Sequence, residues 1–120
     1  MKRIVTGIAA ALLAVAPQFA SAQPKGNTGY PDKPVRLVVP FTPGASNDIV
    51  GRLFGGKLGE TFGQQFVVDN RPGAGGAIGA DTVAKALPDG YTLILTNPGP
   101  NVNNPLMLSR ATYKVTDFTH

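Results

Sequence analysis

The chain has 120 residues, 42% of them hydrophobic and 15% charged, with 15 Gly, 11 Pro, no Cys and a formal net charge of +4. That length holds one domain at most, since domains usually run about 100 to 200 residues. The lack of Cys excludes disulfides, thiolate zinc sites and a cysteine nucleophile, and a single His, His120, argues against a Ser-His pair or a multi-His metal site.

Lys2 and Arg3 precede an apolar run from Ile4 to Ala16, and Ala20-Ser21-Ala22 has the small-x-small pattern that a signal peptidase accepts. The run is shorter than the roughly 20 residues a membrane-spanning helix needs. Residues 1–22 therefore read as a signal peptide cleaved after Ala22, and the new N-terminus, Gln23, is not the Cys of a lipid anchor. Loss of Lys2 and Arg3 leaves nine Lys and Arg against 7 Asp and Glu, a net +2 over 98 residues. These charges are scattered without runs, which argues against nucleic acid as a partner.

Residues 23–34 are polar and rich in Gly and Pro, as expected of a flexible lead-in. Val35-Arg36-Leu37-Val38-Val39, ended by Pro40, predicts a strand. After the turn Phe41-Thr42-Pro43-Gly44-Ala45, any of Ser46, Asn47 and Asp48 can cap a helix that carries Ile49, Val50, Leu53, Phe54, Leu58 and Phe62 at helical spacing and stops at Gly63. Gly51, Gly55, Gly56 and Gly59 each weaken that helix by about 1 kcal/mol relative to Ala. Such a set of small residues points to close packing on a neighbouring backbone.

A second unit follows the same plan. Gln65 to Val68 predicts a strand, Asn70 to Gly76 a turn, and Ala77 to Leu87 a helix with Ile78, Val83, Ala84 and Leu87 facing inward. Pro88-Asp89-Gly90 turns into a third strand, Tyr91 to Thr96; Asn97 to Asn104 reads as loop and Pro105 to Ser109 as a short helix. The two units align at an offset of 29 residues through V-V-x-x-x-P-G-A-x-x-x-I, which begins at Val38 and again at Val67.

Strands separated by helices imply a parallel sheet whose strand-to-helix turns all lie at one edge. Two helix N-termini then bring unpaired N–H groups and positive dipole ends together, where a small anion fits. Gly51 to Lys57 matches the phosphate-loop spacing but lacks the Ser or Thr and lies inside a helix, so it is rejected. Gly73-Ala74-Gly75-Gly76-Ala77-Ile78-Gly79 misses a dinucleotide fingerprint by one position. It leaves open an anion site, a structural tight turn and, with least support, a nucleotide-binding enzyme domain. Asp48 can orient a ligand or cap its helix, and Arg71 can meet an anion or pair with Asp69.

At these turns the sequence resembles the substrate-binding proteins of tripartite tricarboxylate transporters, the TctC or Bug family of periplasmic receptors. The likeness rests on Tyr30 to Phe41, on Pro43-Gly44 through Asp48, on Asn70 to Gly76 and on Pro88-Asp89-Gly90-Tyr91-Thr92-Leu93, in that order. It implies a type II periplasmic-binding-protein lobe, a three-layer α/β fold over residues 35–120, with a second lobe missing and the chain an N-terminal fragment. It also implies a small carboxylate held partly through water, with no cofactor, metal or catalytic residue. The first loop would contribute Phe41, Gly44, Ala45, Ser46 and Asp48, the second Gly73, Gly75, Gly76 and Ala77, with Thr96 and Asn97 beside them. Ala45 stands where the family often has a second Gly. The implied location is the periplasm, and the implied partners are the membrane subunits of an uptake system or, alternatively, a sensor protein.

Overall fold

The structure is a computed structural model and describes residues 29–118. The expected signal peptide, residues 23–28 of the lead-in and the last two residues lie outside the described residues.

Strand β1 (Val35–Val39) is the middle of a three-stranded parallel sheet ordered β2-β1-β3. Its position explains its composition: a strand covered on both faces is apolar at consecutive positions, and Val35, Val38 and Val39 are fully buried with Leu37 nearly so. On one side β1 pairs with β2 (Phe66–Asn70), Val39 opposite Asn70; on the other it pairs with β3 (Thr92–Ile94), Val38 opposite Ile94. Strand β2 starts one residue later and runs two residues further than the apolar run suggests, because Asp69 and Asn70 continue the ladder alongside Val38 and Val39. Strand β3 is shorter than Tyr91 to Thr96, and its far edge is unpaired among the described residues.

Helix α1 (Ser46–Phe62) ends where expected, at Gly63, whose φ of 68° is left-handed and whose N–H bonds the Gly59 carbonyl at 2.9 Å. Its buried face is the surprise. Asp48, Gly51 and Gly55 turn inward, while Ile49, Leu53 and Phe54 are more than half exposed. A Cβ on Gly51 would lie 3.0 Å from Val39 Cγ2, and one on Gly55 would lie 3.2 Å from the Phe66 carbonyl oxygen. The helix therefore lies close against the sheet along a glycine stripe, as the small residues suggest, and its larger apolar side chains point elsewhere. Gly56 is off this stripe, and a Cβ added there would meet nothing within 4 Å. Gly56→Ala is accordingly expected to raise stability by about 1 kcal/mol, read as a higher denaturant midpoint; a lower midpoint would show that the position is packed after all.

After β2, a single 3-10 turn (Ala74–Gly76) leads into α2 (Ala77–Ala84). This helix is shorter than the expected Ala77 to Leu87: the Lys85 N–H still bonds Asp81, but Ala86 bonds Val83 in a tightened turn ahead of Pro88. The expected inward residues need correction too. Ile78 and Leu87 are exposed and Val83 and Ala84 half-buried, whereas Gly76, Gly79 and Ala80 are buried. Like α1, this helix approaches the sheet through its smallest side chains.

The expected loop from Asn97 to Asn104 is instead helical, with a π-type turn (Gly99–Asn103) running directly into α3 (Asn104–Met107). Pro98 is the N-cap of this turn and Pro100 lies in its first turn, positions where a missing N–H costs nothing because that N–H has no intrahelical partner. The part of the expected flexible lead-in that is described is also fastened. The Tyr30 hydroxyl donates to the Gly90 carbonyl, its ring packs edge-on to Tyr91 at 5.1 Å, and the Lys33 ammonium sits 4.3 Å from the centre of the Tyr91 ring. Pro31 is fully buried.

Candidate functional site

Because all three strands are parallel, the β1–α1 and β2–α2 loops emerge at the same sheet edge. Both carry Pro-Gly at the 29-residue offset, and both glycines have positive φ, 83° at Gly44 and 124° at Gly73. Beyond that point the loops diverge. Ala45 is extended and forms the N-cap of α1, whereas its counterpart Ala74 has a left-handed φ of 48° and opens the 3-10 turn. The Ser46 and Asn47 N–H groups in the first loop, and those of Ala74 and Gly75 in the second, take no partner among the described residues. They are free donors.

Neither Ser46 nor Asn47 caps α1 through its side chain. Asp48 reaches back from the third helical position instead, and its Oδ2 accepts the Gly44 N–H at 2.8 Å. The same oxygen accepts Arg52 Nε at 3.1 Å, and Oδ1 accepts Asn70 Nδ2 at 3.0 Å and faces Arg52 Nη2 at 3.1 Å. Asp48 is only 3% exposed. The Gly44 N–H first, then Arg52, with Asn70 adding to them, hold its carboxyl down at about 2 against the opposing effect of burial.

Asn70 joins the loops. Its Nδ2 also donates to the Phe41 carbonyl at 3.1 Å, and its Oδ1 accepts Arg52 Nη2 at 3.3 Å. Arg71, which could have met an anion directly, bonds Asp69 through Nε at 3.1 and 3.2 Å. Burial would raise the Asp69 pKa, but Arg36 and Arg71 outweigh it and the net shift is downward.

The second loop is backed from below and behind. A Cβ on Gly76, at φ 88°, would lie 2.4 Å from Pro100 Cγ, and one on Gly79 would lie 2.6 Å from Pro40 Cβ. These two glycines therefore serve packing, and so part of the near-fingerprint Gly73 to Gly79 has a structural explanation. Asn104 Nδ2 donates to the Gly75 carbonyl at 3.1 Å, and the buried Tyr113 hydroxyl donates to the Pro100 carbonyl. Burial raises the Tyr113 pKa. A cavity of about 340 Å³ adjoins this loop, with Ala74 and Ala77 on one side and Leu108, Arg110 and Thr112 on the other.

The remaining expected site residues are placed as follows. Phe41 is half-buried and contributes its carbonyl to Asn70. Gly44, Ser46, Gly73 and Gly75 are exposed on the two loops, with Ala45 and Ala77 half-buried beside them and Gly76 buried beneath. Thr96 lines a groove of about 630 Å³ along β3, together with Leu37, Phe54 and Leu93. Asn97 uses its side-chain oxygen to accept the Gly99 N–H at 3.1 Å. Sequence reasoning passed over Asn70 and Arg52 as site residues, whereas Asn104 reads from the sequence either as a ligand contact or as a turn support, and the structure shows it bonding the Gly75 carbonyl. Asn70 had one signal: it is a polar residue ending an otherwise apolar strand immediately before the second loop, 29 positions after Phe41.

An open parallel α/β sheet takes ligands at the carboxyl ends of its strands, and the solved structures that share this one are periplasmic binding proteins. Rpa4515 of R. palustris, solved with adipate, is 43% identical with a TM-score of 0.68 over 73% of this chain and 29% of that one. MatC of Rhodopseudomonas palustris, solved with bound malate, is 37% identical with a TM-score of 0.69 over 75% of this chain and 31% of that one.

The chain belongs to the tripartite tricarboxylate transporter family of receptors, whose family model matches residues 50–120. A protein from the tcbD-tcbE intergenic region of Pseudomonas sp. strain P51 is 41% identical over 98 residues, which cover 82% of this chain and 28% of the relative. The chain thus spans less than a third of the length of the proteins it matches.

Proposed function

We propose that this chain carries the carboxylate-gripping part of an exported solute-binding receptor, one that delivers a small carboxylate to the membrane subunits of a tripartite uptake system without chemical conversion. The observation that carries this reading is the pair of βα loops with free N–H donors at Ser46, Asn47, Ala74 and Gly75 on one sheet edge. Helix and turn N–H groups bind carboxylates well, because they supply donors and positive partial charge without a counter-ion that would have to be desolvated. Waters can complete the coordination. The expected ligand-binding set is Phe41, Gly44, Ala45, Ser46, Gly73, Gly75, Gly76, Ala77, Thr96 and Asn97, joined by Asn47 and Ala74 through their free N–H groups, while Asp48, also expected there, serves by holding Gly44 and not by touching the ligand. Adipate and malate in the related structures support a dicarboxylate as first choice.

Calorimetric titration with adipate, malate and the uncharged diol 1,6-hexanediol tests the proposal. The chain alone and a chimera that continues into the remaining two thirds of Rpa4515 are both titrated. The chimera is expected to bind a dicarboxylate and ignore the diol, and the chain alone to bind more weakly. A folded chimera that binds neither acid overturns the assignment.

A further inference from the structure

Asp48 has no capacity left for a ligand. An ionised carboxylate offers about four acceptor directions, and here Gly44 N–H, Asn70 Nδ2 and two nitrogens of Arg52 occupy them at 2.8 to 3.1 Å. Asn70 has both donors spent, Nδ2 donating to Phe41 and Asp48, and its Oδ1 accepts from Arg52. Turning the amide over would set its oxygen against both the Phe41 carbonyl and Asp48 Oδ1, two acceptors facing an acceptor, so the network itself fixes its orientation. Its place in the chain matters as much. The backbone bond from Arg71 N–H to Val39 carbonyl, at 2.8 Å, is the last rung between β1 and β2. Past that rung, the Asn70 side chain continues the connection to Phe41 and, through Asp48, to Gly44.

We propose that Asn70 is a positioning residue which, with Asp48 and Arg52, fixes the first loop against the second so that the free N–H groups of both converge on one carboxylate. Asp48 then acts on the ligand only through Gly44 and Asn70. The convergence on a carboxylate rests on the proposed receptor function; the locking of the loops does not. The two can therefore fail separately.

The test compares wild type, Asn70→Ala, Asn70→Asp and the exchange D48N/N70D, with circular dichroism confirming the fold. Backbone amide exchange is followed by NMR at Gly44, whose acceptor is Asp48 and not Asn70. If Asn70 positions the loop, Asn70→Ala speeds Gly44 exchange about tenfold, since two bonds that hold Asp48 and Phe41 are lost. Asn70→Asp has nearly the same shape but removes both donors and sets a second carboxylate beside Asp48, so it loosens Gly44 further. In D48N/N70D the amide and the carboxylate trade places with Arg52 still between them, and much of the protection returns. Unchanged Gly44 exchange in a folded Asn70→Ala chain overturns the locking. Should that variant not fold, Asn70→Ser decides the matter in the same way.

In the Rpa4515 chimera, Asn70→Ala is expected to weaken adipate binding at least tenfold. Loosened loops with unchanged adipate affinity overturn the positioning role while leaving the receptor reading intact. A wild-type chimera that ignores adipate and malate removes the receptor reading and leaves the exchange result to judge the locking by itself.

Discussion

Gly79→Ala is expected to lower stability by about 2 kcal/mol, which for a domain of this size moves Tm down by roughly 10 °C. The added methyl would lie 2.6 Å from Pro40 Cβ, 2.9 Å from Pro40 Cα and 2.9 Å from the Arg71 carbonyl oxygen. None of these atoms is the far end of a flexible side chain. Pro40 is fully buried and tied into the end of the central strand, and Arg71 follows the last residue of β2. Relief therefore requires α2 to lift from the sheet, an overpacking cost of about 3 kcal/mol. Replacing a helical glycine by alanine returns about 1 kcal/mol through helix propensity, so the clash wins. Thermal melting checks the result, and an unchanged or higher Tm would show that α2 has slack against Pro40. The opposite sign at Gly56 makes the pair a test of geometry over propensity, since both residues are helical glycines.

Asp48→Ala is the second large effect. It removes the shared acceptor of the Gly44 N–H, one donor of Asn70 and Arg52, and leaves the Asn70 donor facing the hole left by a residue that is 3% exposed. Unpaired polar groups at such a position are costly, and a fall in Tm of roughly 10 °C or more at neutral pH is expected. The carboxylate also carries an acid signature. Its folded pKa of about 2 lies below the unfolded value of 3.8. Its contribution is therefore fully present above about pH 4 and is lost as pH falls through 2. Asp69 and Asp81 are shifted in the same direction, Asp69 by Arg36 and Arg71 against its own burial and Asp81 by Lys85 and Thr112. The acid slope in Asp48→Ala is thus reduced but not abolished. Urea melts of wild type and variant between pH 2 and 7 measure it, and identical slopes would show that Asp48 is not held below the ordinary carboxylate range.

The features legible in the sequence were those decided locally. A β-branched run ended by Pro40 gave β1, and the left-handed stop at Gly63 closed α1 without reference to anything distant. The two Pro-Gly turns, read as paired loops on one edge, needed only the rule that strands joined through helices run parallel. Hydrophobic spacing located α1 but missed its buried face, because that reading assumes large apolar side chains point inward. In both α1 and α2 the inward positions are mostly glycine or alanine, which let the helix backbone approach more closely than Ile49 or Ile78 would allow. Pro98 and Pro100 suggest a loop because proline breaks helices in their interior, yet one is the N-cap and the other sits in the first turn, and both positions tolerate proline. The coupling through Asn70 was out of reach for another reason. It depends on the register that sets Asn70 opposite Val39, a relation between segments 31 residues apart that neither segment encodes alone.

Among the described residues the outer edge of β3 pairs with no strand, which gives concentration a direct influence on this chain. Thr92, Leu93 and Ile94 include none of the lysines or prolines with which edge strands discourage lateral addition. Beside them runs a greasy trough walled by Leu37, Phe54 and Leu93. In dilute solution such a surface is merely wet, but in a crowded compartment or a concentrated sample it is a template on which another strand can add to the sheet. Loss of dispersed protein at high concentration is therefore expected to begin at this flank of the sheet, on the opposite side of β1 from the Asn70 junction.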